Sequence, residues 1–219
     1  MIAEETNREK RMKEVVSNRL KDITLVAEGT HLRHNLSAII RSAESFGVAK
    51  VHLISAEKNT ISGAAKGGER WVNLEIHEKT EQCFDLLKKQ GYAIFVADLQ
   101  VQAYTPDTLP LDKPVAIVMG TELVGVSAEA KQLADGAVIL PMYGMTQSLN
   151  VSVASACLLY RLSSRMREEN KGLLSPFEQE CLVTEWKERE DAEKNTRQKR
   201  ITLGEEMLDE SNFGEDPLL

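Results

Sequence analysis

Cysteine is scarce: the chain of 219 residues has only three, Cys83, Cys157 and Cys181, widely separated and without a CxxC pair. They read as free thiols in a reducing, cytoplasmic setting rather than as disulfides or a zinc knuckle. The four histidines, His31, His34, His52 and His77, lack metal-ligand spacing to an acidic or cysteine partner, so no metal is expected. Long apolar runs are also missing. Each is interrupted well short of a membrane span, and MIAEETNREKR at the start lacks the apolar stretch of a secretion signal, so no membrane partner is expected. No GxGxxG follows the first candidate strand, and no GK[ST] ends the glycine-bearing stretch ISGAAKGGERWV. Those two absences remove the dinucleotide-binding and P-loop readings. There is no basic excess either: net charge is −7. Six acids, Glu205, Glu206, Asp209, Glu210, Glu215 and Asp216, lie in 201–219 with no Lys or Arg, which leaves 27 basic and 28 acidic residues before them. A near-neutral body can still carry local basic faces of the kind that contact phosphates.

What is present is an alternation. Hydrophobic residues make up 42%, enough for a full core at this length. Short apolar runs at Ile23–Ala27, Val51–Ser55, Trp71–His77, Ala93–Ala97, Val115–Met119 and Ala137–Leu140 read as strands. Those at 93–97 and 115–119 are continuously apolar, as in strands buried on both faces of a parallel sheet. Helical patterns lie between them. Asn35 reads as the cap of a helix from Leu36 to Phe46 ended by Gly47, Thr80 as the cap of Glu81–Gln90, and Ser127 as the start of a short helix. The pattern predicts one α/β domain over 23–170. Glu28, at the end of the first run, is a glutamate just before the stretch HNLSAIIRSAESFGV, though such an acid could simply meet a nearby cation.

Residues 1–22 form a charged N-terminal extension with Met12, Val15, Val16 and Leu20 at helical spacing. Arg8, Arg11 and Arg19 surround that stripe, and both a solvated helix and a phosphate-contacting one fit it. Lys66 and Arg70, in and after the small-residue stretch, could also reach phosphates. At 171–200 a second extension begins with Ser175-Pro176-Phe177-Glu178, an N-cap, a proline at the first helical position and a capping-box acid. Its helix is expected to run to about Asp191 or Asn195, presenting Phe177, Cys181, Leu182 and Trp186. Residues 201–219 read as a mobile acidic tail.

The chain is organised around residues 139–169. An apolar run ends at Pro141, a polar glycine-bearing loop follows, and Asn150 opens a long helix striped by Val151, Ala154, Leu158, Leu159, Leu162 and Met166. Single-chain periodicity assigns that stripe equally to the protein's own core and to a second copy. Ser148 and Asn150 bring polar side chains to a helix start, where free N–H groups can also bind a ligand.

The string SLNVSVA after PMYG closely resembles the last signature of the TrmH, or SpoU, family of RNA 2'-O-ribose methyltransferases. HNLSAIIRSAESFGV at 34–48 and IVMGTELVGVS at 117–127 match the same family in order. The resemblance implies an α/β fold of the deep trefoil-knotted SPOUT type, with a parallel sheet, helical terminal extensions and the knot between about residues 115 and 165. It implies S-adenosylmethionine as methyl donor, a homodimer, and tRNA as substrate, at the ribose of guanosine 18 in the D-loop. Another tRNA ribose, ribosomal RNA and a non-enzymatic RNA-binding protein are the alternatives. By the same resemblance Met119, Gly120, Thr121, Leu140, Pro141, Met142, Gly144, Ser148 and Leu149 hold the donor. The set Asn35, Arg41, Glu122, Ser148 and Asn150 carries the reaction. Arg41 either activates the ribose hydroxyl or grips the neighbouring phosphate; Glu122 braces Asn35 or the knot. Leu123 departs from the lysine that tRNA-modifying members often carry there.

Overall fold

Six parallel strands carry the fold: β1 (Ile23–Glu28), β2 (Lys50–Ile54), β3 (Asn73–His77), β4 (Ala93–Ala97), β5 (Val115–Met119) and β6 (Gly136–Val138). The computed structural model describes residues 6–29, 33–55, 70–99 and 102–202. The strands lie in the order β3-β2-β1-β5-β4-β6, with every pairing parallel. The central pair β1 and β5 is buried along its whole length, which is why neither run alternates.

Alternate residues of these strands divide the interior in two. Leu25, Ala27, Ile117 and Met119 face helices α2 (Arg33–Ser45) and α5 (Val151–Glu168), whereas Val26, Ala116 and Val118 face α3 (Thr80–Lys89) and α4 (Ala128–Leu133). The stripe on α5 belongs to the first of these cores: Val151, Leu158, Leu159, Leu162 and Met166 are all buried within the protomer. It is therefore no surface for a second copy. The outward face of α5 carries Val153, Cys157 and Tyr160 instead.

The terminal extensions meet. Helix α1 (Asn7–Val16), started by a capping box between Thr6 and Glu9, packs on α6 (Pro176–Thr202). Met12 and Val16 share a small core with Val183 and Trp186. Ser175 and Glu178 form the anticipated reciprocal cap of α6, but the helix runs past 195. Its inward face is Leu182, Val183 and Trp186, while Phe177 and Cys181 point to solvent.

Two anticipated caps are corrected. Asn35 lies inside α2, not before it, and Thr80 is the first residue of α3, whose cap position is Lys79. Both polar side chains are engaged over long sequence distances, described below. Ser127 does cap α4, accepting from the Ala130 amide at 3.0 Å. Among the described residues no helix is long and apolar enough to cross a membrane. Lys66 and residues 203–219 lie outside the described residues.

Candidate active site

The carboxyl ends of β4, β5 and β6 open into a cavity of about 220 Å³. That is where open parallel sheets place ligands, because side chains there are carried on loops rather than committed to the core. Of the residues expected to hold the donor, Met119, Gly120, Thr121, Leu140, Met142, Ser148 and Leu149 line it, whereas Pro141 and Gly144 stand on the exposed loop outside the lining. Ala97, Asp98, Leu99, Gly125 and Gln147 also line it and were missed. Asp98 was legible in principle as a polar residue directly after an apolar strand. Its carboxylate pairs with Lys131 at 3.0 Å.

Gly120 is required by close approach. A Cβ built there would sit 2.1 Å from the carbonyl carbon of Gly125. Thr121 and Gly125 exchange backbone hydrogen bonds of 3.0 and 2.9 Å, closing a tight loop, and Gly125 takes φ +71. This loop carries Glu122 forward, and Leu123 at its tip is 98% exposed.

Two distant segments converge on Glu122. Buried Asn35 donates to its Oε1 at 3.0 Å. The Asn150 amide donates to the same oxygen and to Asn35 Oδ1, the latter at 3.2 Å. Asn150 also caps α5, its Oδ1 accepting from the Ser152 amide at 2.9 Å and the Ser152 hydroxyl at 2.6 Å. One asparagine thus fixes both the helix start and the glutamate loop. Ser148 lines the cavity and makes no hydrogen bond to this triad.

Among the described residues Glu28 meets no cation. Its carboxylate accepts from the Thr80 hydroxyl at 2.7 Å and from the amide and hydroxyl of Ser127 at 2.8 and 2.7 Å. The acid ties the end of β1 to the starts of α3 and α4, where helix amide groups favour a negative charge.

Arg41 is exposed on α2 and makes no hydrogen bond or ion pair with any described residue. Six residues separate it from Asn35, which puts it ~9 Å along the helix axis and about 120° around. It cannot share Asn35's inward face. Of the arginines read as RNA contacts, Arg19 is corrected: it is wholly buried, donating to the carbonyls of Glu44 and Val48 and to the Glu44 carboxylate, with Trp186 against its guanidinium. Arg8, Arg11 and Arg70 remain at the surface, paired with Glu190, Glu14 and Glu193. Such exposed pairs are worth little and yield readily to a phosphate.

A strand-end cavity over an all-parallel sheet, closed by a loop that needs Gly120 and Gly125, defines an α/β protein with a ligand site at the carboxyl ends of its strands. Residues 22–160 match the model of the SpoU rRNA Methylase family. The chain is 39% identical over 155 residues to a tRNA (guanosine(18)-2'-O)-methyltransferase of Thermus thermophilus, covering 70% of this chain and 80% of that one. It is 37% identical over 182 residues to the enzyme of the same name from Escherichia coli, covering 80% of each. The crystal structure of a TrmH/SpoU tRNA-modifying enzyme from A. aeolicus superposes with a TM-score of 0.73 at 33% identity, over 82% of this chain and 94% of that one. An AdoMet-bound rRNA methyltransferase from Sinorhizobium meliloti shares the fold, at 20% identity and a TM-score of 0.60 over 75% of this chain and 61% of that one. The chain belongs to the SpoU/TrmH family of RNA 2'-O-ribose methyltransferases.

Proposed function

We propose that this enzyme methylates the 2'-hydroxyl of guanosine 18 in tRNA, with S-adenosylmethionine as donor. The observation that carries the reading is the junction of the Asn35–Glu122–Asn150 triad with the strand-end cavity, in a chain whose relatives of 36–39% identity bear that activity in their names. The residues present fit the donor. Met119, Leu140 and Leu149 give an apolar slot for an adenine, Gly120 and Gly125 allow backbone approach, and Thr121, Gln147 and Ser148 supply polar groups. The cavity of about 220 Å³ is smaller than the ~300 Å³ at which ligand pockets commonly begin, so part of the donor would extend beyond it. When bound, the donor supplies an electrophilic methyl on a sulfonium.

The protein's own residues do the rest. Glu122, whose Oε1 accepts from two amides, braces the donor loops. Arg41 would meet the substrate as the 2'-oxygen takes the methyl, the S–CH3 bond of the sulfonium breaking to leave the thioether and the hydroxyl proton passing to solvent water. An arginine ordinarily keeps its proton ~5.5 units above neutrality, roughly 7.5 kcal/mol against acting as a base. A phosphate grip that stabilises charge developing on the 2'-oxygen is the less demanding role. The position of Arg41 on the outer flank of α2 suits a homodimer in which it serves the partner's donor. Val153, Cys157 and Tyr160 on α5, with Tyr143 and Met145 nearby in sequence, offer the apolar surface for that dimer. The path from β5 through α5 is read as the trefoil, the terminal helices as tRNA-contacting extensions, and the cytoplasm as the compartment. Unmodified tRNA incubated with enzyme and donor, followed by mapping of the methylated nucleotide, tests the reading. Modification of guanosine 18 is expected; methylation confined to ribosomal RNA or to another tRNA ribose rejects this substrate.

A further inference from the structure

Three side chains that the proposed reaction does not use meet on the other half of the sheet. His52 lies on β2, His77 ends β3 and Cys83 sits in α3. His52 and Cys83 are closed to solvent and His77 nearly so. In the ladder His52 stands opposite Glu75 and Ile54 opposite His77, so alternation turns both imidazoles to the face that α3 covers. Nδ1 of His52 and Nε2 of His77 are 2.9 Å apart. Each of the three residues places one ligand atom within 4.8 Å of the other two. The expectation that no histidine has a cysteine partner is thus corrected, because strand pairing closes a gap that linear spacing leaves open.

A hydrogen-bonded imidazole pair filling a core is the plain alternative. Volume alone, however, is filled more cheaply by aliphatic groups, since burying polar rings forfeits their hydration. A carboxylate is also at hand: Glu75 Oε2 lies 4.0 Å from His52 Nδ1, at the partly exposed rim where it pairs with Lys50 at 2.9 Å. Tetrahedral zinc, with nitrogen at about 2.0–2.1 Å and sulfur at about 2.3 Å, sets N···N near 3.3 Å and N···S near 3.6 Å. The two nitrogens must therefore part by about 0.4 Å and the sulfur close in by at most about 1.2 Å.

We propose that His52, His77 and Cys83 bind a borderline-soft divalent cation, zinc foremost, with Glu75 or a water as fourth ligand. Two imidazoles and a thiolate suit zinc, whereas magnesium and calcium take oxygen ligands. Burial holds both imidazoles below their ordinary range, His52 at about 4, and one of the two facing nitrogens carries the hydrogen of their bond, so uptake of the ion moves that hydrogen to the far nitrogen of its ring. Burial also pushes the Cys83 thiol up to about 12, so uptake of the ion displaces that proton. The ion joins edge strand β3 to β2 and α3, well removed from the cavity at β4–β6, and its role is to hold that edge.

Full-length protein, stripped with chelator and dialysed, is titrated with Zn2+ and in parallel with Co2+. One equivalent is expected to bind, with a thiolate-to-cobalt charge-transfer band and a raised unfolding temperature. Cys83→Ser and His77→Gln, each first shown to keep the native circular dichroism, weaken binding more than about 100-fold, since even outer-sphere changes cost 10–100-fold. Cys181→Ser leaves it unchanged. Folded wild-type protein that binds no Zn2+, or variants that bind as well as it does, overturns the site. Should the variants fail to fold, a wild-type cobalt spectrum without the thiolate band overturns it equally.

Discussion

Asn150 does two things that different substitutions separate. As a cap it accepts from the Ser152 amide at 2.9 Å; losing this costs about 1 kcal/mol, or ~2–4 °C in a domain of this size. As a strut it donates to Glu122 and to Asn35. Hydrogen bonds to a charged group are worth ~1.5–3 kcal/mol, and exposure of Glu122 and Asn150 places the two together near about 2 kcal/mol. The loop Met142–Leu149 hangs from this strut, so its loss falls on donor affinity, roughly 30-fold in Kd. Asn150→Ala removes both functions. Asn150→Asp keeps the accepting oxygen but sets a second carboxylate against Glu122. It should melt near wild type while binding donor at least as weakly as the alanine variant, and adding Glu122→Gln should restore part of that binding. Scanning calorimetry beside calorimetric titration of S-adenosylmethionine measures the two effects. An Asn150→Asp protein with wild-type donor affinity refutes the strut, and parallel losses in both variants refute the separation.

Arg41→Ala should abolish most single-turnover methyl transfer while leaving donor binding within about twofold, and Arg41→Lys should rescue little because a point charge lacks the planar fork; loss of donor binding in a folded Arg41→Ala protein would place Arg41 in the donor pocket. Gly120→Ala, whose Cβ meets the Gly125 backbone at 2.1 Å, should cost ~1–3 kcal/mol or more and weaken the donor; a wild-type melting temperature counts against the close approach. Val153→Glu on the outer face of α5 should produce monomers by sedimentation and lose turnover, and a fully active monomer rejects the dimer. Hydrogen bonds from Lys187 and Lys21, first among the causes, hold the Glu9 and Glu178 carboxyls at about 2 against an ordinary 4.5. On acidification the unfolded chain takes up these protons first, so the stabilisation is whole above about 4.5 and lost on the way down to about 2. Fluorescence of Trp186 should report α1 and α6 loosening in that window, and a Lys21→Met, Lys187→Met variant should flatten the dependence.

What the sequence disclosed was what neighbouring residues decide. The bounds of β4 and β5 were legible because burial on both faces leaves an unbroken apolar run, and the Ser175–Glu178 cap because its partners are three residues apart. Misreadings arose where a polar side chain had two uses. Asn35 has the chemistry of a cap, yet its partner Glu122 lies 87 positions away. Arg19 looked like surface charge until α6 covered it with Trp186. Periodicity found the α5 stripe correctly but carried nothing on what lay opposite, and α2 took the place a second subunit had been offered. The family signatures pointed to the triad's members; only the folded chain shows one amide serving two of them.

The pairing of α1 with α6 gives the molecule an order of assembly. Met12 and Val16 are synthesised 170 or more residues before Trp186, which is part of the surface that shelters them. At ~5–20 residues per second that partner follows roughly 9–35 s later. Through that interval the first helix is an apolar patch beside an arginine with no cover, open to chaperones and proteases.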